Sequence, residues 1–170
     1  MKSRVILLLV LHALILLPVA AQDAMPTKEE TVNYLKKKLM EVDGLKQTKD
    51  GPPLKGYLIN LNNGKIEFTQ QGGGVVYGWM YSFDPAHILD VKIYPVRHWE
   101  MDAMEVVFVS KLVVRQAVKP TGGLDYSSSK ETVLSFQFPF IRTPGNGEKI
   151  RKAFLHLRDL AKAEDDIFSN

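Results

Sequence analysis

His98, Glu100 and Asp102 alternate around Trp99 and Met101. Successive side chains of an extended backbone point to opposite faces, so all three would line one side of a strand. An imidazole and two carboxylates are hard and borderline ligands that could hold a divalent cation. His87 is the further ligand the sequence offers. A small metal-dependent enzyme built around His87, His98, Glu100 and Asp102 is the function that would follow. A polar loop with Trp99 folded over the core accounts for the same residues without a metal. That simpler reading leads: no cofactor and no catalytic residue is expected, and the metal site stands as the alternative.

Other chemistry finds less support. Ser127, Ser128 and Ser129 share the chain with His87, His98 and Asp125, but no Gly-x-Ser-x-Gly elbow accompanies them. Gly72, Gly73 and Gly74 precede a β-like segment and lack the Lys-Ser/Thr of a phosphate-binding loop. Glu164, Asp165 and Asp166 sit near the C-terminus, where a helix end frays. There is no cysteine, which removes disulfides, thiolate metal sites and thiol nucleophiles.

A surplus of large apolar residues is more suggestive. Trp79, Met80, Trp99, Met101 and Met104 could line a groove for a peptide, a partner protein or a small apolar molecule. The same residues could simply fill the core, and that is the favoured reading.

Two helices and a run of strands must position these groups. Thr27 and Glu30 have the spacing of a capping box, and Val32, Leu35, Leu39 and Val42 then form one apolar stripe. Asp43 and Gly44 end that helix. Tyr57, Ile59 and Leu61 alternate, Asn62-Asn63-Gly64 turns, and Ile66 and Phe68 alternate back, which predicts a hairpin. Val75, Tyr77, Trp79, Tyr81 and Phe83 share one strand face. Asp84-Pro85-Ala86-His87 reads as a turn or a single helical turn. Leu89, Val91 and Ile93 then point one way. Residues 104–118 read as one long bent strand with a bulge at Ser110 and Lys111, and Leu134, Phe136 and Phe138 as the inner face of the last strand. Residues 139–147 lead to a final helix capped by Asn146. Its Ile150, Phe154, Leu157, Leu160 and Ala161 recur at steps of three and four.

Strands joined by hairpins rather than alternating with helices predict an α+β fold. About six or seven strands form a bent antiparallel sheet or half-open barrel, with an N-terminal helix and a C-terminal capping helix. The final helix plugs it against a face such as Tyr77-Trp79-Tyr81.

This layout resembles the pleckstrin-homology-like fold, a bent barrel capped by a C-terminal helix. More narrowly, the chain is similar to exported proteins of Bacteroidota-type bacteria. The resemblance is carried by Thr27-Lys28-Glu29-Glu30-Thr31 followed by Tyr34-Leu35, by Phe83-Asp84-Pro85-Ala86-His87-Ile88, and by the run from Glu148 through Lys149-Ile150-Arg151-Lys152-Ala153-Phe154 to Leu157. It implies binding rather than catalysis. Phosphoinositide binding by such domains needs a basic cluster in the first strand-loop-strand unit, and that loop holds only Lys65 here.

Compartment and partners follow from the ends and the charge. Lys2 and Arg4, then apolar residues 5–17, then Val19-Ala20-Ala21 have the form of a cleaved signal peptide over residues 1–21. An apolar core that short falls below the roughly 20 residues of a membrane span. The expectation is one domain over residues 22–170, periplasmic or secreted, and no integral membrane protein once cleaved. Taking Lys2 and Arg4 from the 22 basic residues leaves 20 against 19 acidic ones, so nucleic acid is not an expected partner. A lipid carrier with an internal cavity is the remaining alternative.

Overall fold

A computed structural model describes residues 25–46, 51, 53–70, 78–97, 100–110, 113–119, 124–125 and 129–168. The first helix, α1 (Lys28–Leu39), opens on the expected capping box. Thr27 Oγ1 accepts from the Glu30 N–H at 3.2 Å, and Glu30 Oε2 accepts from the Thr27 N–H at 2.8 Å. Two otherwise orphaned donors are thereby satisfied. Val32, Leu35 and Leu39 are buried, and Val42 follows them in a 3₁₀ turn over Met40–Val42. Gly44, at φ 81°, takes the left-handed conformation that stops the helix.

Strands β1 (Tyr57–Asn62) and β2 (Lys65–Gln70) form the predicted hairpin. Asn63 and Gly64 both have positive φ, 49° and 76°, which matches the right-handed strand twist. Next come β3 (Gly78–Phe83), a 3₁₀ turn at Pro85–His87, β4 (Ile88–Tyr94), β5 (Met101–Phe108), β6 (Val113–Val118), β7 (Glu131–Val133) and β8 (Ser135–Ile141). The Asp84 carboxylate caps the 3₁₀ turn, accepting from the Ala86 N–H at 2.9 Å. The fold is α+β. One antiparallel sheet has the order β1-β2-β3-β6-β7 and the other β4-β5-β8, and they do not close into a barrel. β6, not β4, lies beside β3, so the chain crosses between sheets instead of running as one meander.

Those crossings explain where the sequence reading fails. Residues 104–118 are two strands, not one bulged strand, and β5 and β6 belong to different sheets. Phe108 and Val113 both face the core. They are an odd number of residues apart, which a continuous strand of period two cannot satisfy. The chain therefore turns at exposed Val109 and bent Ser110. A second corner falls at Leu134. It is 48% exposed, not an inner-face residue, and its carbonyl accepts from the Phe108 N–H at 2.9 Å. Phe136, Phe138 and Phe140 carry the inner face instead.

The bulge lies in β4. Ile88 pairs with Phe108 while Asp90 pairs with Val107, so Leu89 is the extra residue. Leu89 is 57% exposed, and Ile88 takes its expected place in the core with Val91. β8 runs through Pro139, opposite Ala103. An edge strand tolerates the missing N–H.

The second helix, α2, spans Asn146–Phe168 and so extends past its expected end. Asn146 is its first residue rather than its cap, and its Nδ2 turns back to donate to the Ile141 carbonyl at 2.8 Å. A Cβ on Gly147 would meet Phe140 Cζ at 2.8 Å, so only glycine lets the first turn settle against β8. Ile150, Phe154, Leu157 and Ala161 are buried. The ring beside Phe154 is Phe138 of β8, at 5.9 Å between centroids, where the sequence points to Tyr77-Trp79-Tyr81. Trp79 and Tyr81 belong to the other sheet, and Tyr77 lies outside the described residues. Arg151 Nε donates to the Val91 carbonyl at 2.8 Å, so α2 covers the open edge of β4.

Candidate functional site

Of the residues singled out for metal chemistry, Asp102 has its carboxylate engaged by an arginine. Asp102 is the second residue of β5, and its Oδ1 lies 2.9 Å from Arg142 Nε and 2.6 Å from the Arg142 terminal nitrogen. Arg142 also donates to the carbonyls of Val96 and Met101, at 2.7 Å and 2.8 Å. A planar guanidinium with several donors suits this clamp, which fixes the β4–β5 loop to the end of β8. Glu100 is exposed, and its carbonyl accepts from the Arg142 N–H at 2.7 Å. His87 closes the 3₁₀ turn, with its N–H donating to Asp84 and its carbonyl accepting from Val109. His98 lies outside the described residues. Among the described residues, no group of three His, Asp or Glu is placed to hold a metal ion.

The four described groove candidates, Trp79, Met80, Met101 and Met104, do not share a wall. Met104 has no exposed surface and Met101 is 2% exposed, so both are core. Neighbours on β3, Trp79 and Met80 point to opposite faces. The Arg115 guanidinium stands 4.4 Å over the centre of the Trp79 ring, a cation–π contact. Trp99, Ser127 and Ser128 lie outside the described residues.

A better-formed site lies between the two helices. Pro26, Glu30, Thr31 and Tyr34 line one side of a groove of about 640 Å³. Lys149, Lys152, Ala153 and His156 line the other. Its size falls within the roughly 300–1,000 Å³ of small-molecule sites. The 3- and 4-residue steps from Lys149 to His156 put those four side chains on one helix face. His156 Nε2 is 2.7 Å from the Pro26 carbonyl and closes the groove at the α1 N-terminus. Thr31 Oγ1 donates to the Thr27 carbonyl at 2.7 Å, so its methyl is free to face apolar matter.

Charge is distributed unevenly across this groove. Glu30 is held by the capping box. Among the described residues, the ammonium groups of Lys149 and Lys152 have no carboxylate within ion-pair distance. The Tyr34 hydroxyl is buried, with no hydrogen-bond partner among the described residues. Burial pushes its phenol above the usual range; Lys38 pulls it back and Glu41 adds to the rise.

Lys149 and Lys152 lie off the apolar stripe of Ile150, Phe154 and Leu157, so the periodicity of α2 does not single them out. Periodicity marks which face of each helix is apolar, but the groove arises from how the two helices sit together. No helix among the described residues is long and apolar enough to cross a membrane. Compared with protein families, curated proteins and solved structures, the chain matches none.

Proposed function

We propose that this chain is an exported binding domain without catalytic activity, periplasmic or secreted, whose ligand lies between α1 and α2. The ligand is an apolar small molecule or peptide. The observation that carries this reading is the groove itself: an open concavity of about 640 Å³, with lysines on one side only that have no carboxylate partner among the described residues. A pleckstrin-homology-like architecture is part of the proposal. Two antiparallel sheets and a C-terminal helix across their edge support it, while β6 in place of β4 beside β3 departs from a simple meander. Engagement of Asp102 by Arg142 weighs against the metal-dependent alternative. Export rests on residues 1–21 alone.

Amide NMR of the ¹⁵N-labelled mature chain tests the site, with 1-decanol as a neutral apolar probe. Shifts concentrated at Thr31, Tyr34, Ala153 and His156 are expected. Shifts spread over the sheets, or none at all, would count against it. Fractionation of expressing cells checks export: the processed chain should leave the cytoplasm.

A further inference from the structure

We infer that the groove between α1 and α2 takes a free fatty acid, with its carboxylate on Lys149 and Lys152 and its acyl chain along Tyr34 and Ala153. This rests on the binding reading above and names the ligand class for the same site.

Three observations select this class. The first concerns the walls, which are both α-helices. Their backbone N–H and C=O groups are consumed within each helix except at the ends. An extended peptide laid between them would bring polar backbone groups that find few partners. An acyl chain brings none. The second is the charge. Lys149 and Lys152 are one turn apart on the same rim, and neither has a carboxylate partner among the described residues. The acid on the opposite rim, Glu30, is engaged by the Thr27 N–H at 2.8 Å. A ligand with one negative end is therefore favoured at one end of the groove only. Two compact ammonium groups on flexible stems suit a small terminal carboxylate. The third is length. At 1.5 Å per residue, the wall from Lys149 to His156 runs about 10 Å, which suits a single medium-length chain. The volume is enough for one such chain.

Isothermal titration of the mature chain with decanoate, 1-decanol and decyltrimethylammonium tests the assignment. The three share a tail and differ in headgroup charge. Decanoate should bind most tightly, with a preference of roughly tenfold over decyltrimethylammonium at low ionic strength, shrinking as salt is added. In K149E/K152E the order of the two charged probes should reverse while 1-decanol is unchanged. Both positions are exposed, and a melting curve matching the parent confirms that the variant is folded. Equal binding of the two charged probes by the parent overturns the inference, as does an unchanged order in K149E/K152E. If 1-decanol still shifts Thr31 and Ala153 in that case, the groove reading survives and only the headgroup assignment falls. If 1-decanol shifts residues elsewhere, both fall.

Discussion

Lys28 Nζ lies 2.6 Å from Glu164 Oε2, a bond that joins the first turn of α1 to the far part of α2. Together with His156 and Pro26 it sets the separation of the helices and so the width of the groove. The two partners are unequal, for the Lys28 side chain is 10% exposed and that of Glu164 58%.

The solvated partner limits what the bond contributes. Glu164→Gln is expected to lower stability by about 0.5–1 kcal/mol, and the loss should shrink as salt is added. Urea unfolding at two ionic strengths measures it. A salt-independent loss would mean that packing, not charge, joins the helices here.

Phe154 is the centre of the contact between α2 and the sheets, fully buried and beside the Phe138 ring. Phe154→Ala should cost about 3–5 kcal/mol, because the removed ring leaves a cavity that the surrounding strands cannot fill. That is a large part of the roughly 5–15 kcal/mol that holds a domain together. A melting temperature within a few degrees of the parent would disprove the placement of α2.

The bulge in β4 gives a paired prediction. Ile88 is 1% exposed and Leu89 57%, although the sequence marks Leu89 as the core residue. Ile88→Ala should cost about 2–5 kcal/mol and Leu89→Ala less than about 0.5 kcal/mol. Chemical denaturation of both variants decides the register. The opposite ranking would restore a regular strand.

Signals contained within a few residues were legible in the sequence. The Thr27–Glu30 box, the Asn63-Gly64 turn, the turn at Pro85 and the stripe of Ile150, Phe154 and Leu157 each depend on local geometry, and each is present. What the sequence concealed depends on residues far apart. The corners at Val109 and Leu134 exist because strands change sheets, and neither carries glycine or proline to announce the turn. The Arg142 clamp on Asp102 joins residues 40 apart in the chain. The same holds for the groove, whose two walls lie at opposite ends of the described chain. Both sets of site candidates lie between residues 79 and 104, away from either wall.

Tyr34 separates fold from binding. Its hydroxyl is buried with no hydrogen-bond partner among the described residues, while the residue lines the groove. Tyr34→Phe removes the unsatisfied group and keeps the apolar wall, so it should stabilise the protein by up to about 1 kcal/mol. Decanoate binding should be unchanged. A loss of binding without a loss of stability would instead make the hydroxyl a ligand donor.

Glu105 predicts how stability follows pH. It stands in a cross-strand row with Lys92 and Gln137 on the three-stranded sheet. Ser135 Oγ donates to Glu105 Oε1 at 2.8 Å, and the Tyr94 hydroxyl to Oε2 at 2.9 Å. Burial draws its carboxyl upward, but the hydrogen bonds from Ser135, Tyr94 and Gln137, with the charge of Lys92, outweigh that and hold it below the usual range. The unfolded chain therefore binds the proton first as pH falls. The contribution is fully present above an ordinary glutamate value of about 4.3 and is lost as pH drops through the lower folded value. Tyr94 shows the converse: donating to Glu105 raises its phenol, so that contribution is present below a pH of about 10 and is lost above it. Glu105→Gln should flatten the acid limb of stability against pH and leave the neutral region nearly level. Urea midpoints from pH 7 down to pH 3 measure this. A variant that loses stability in acid as steeply as the parent would show that other carboxylates set that limb.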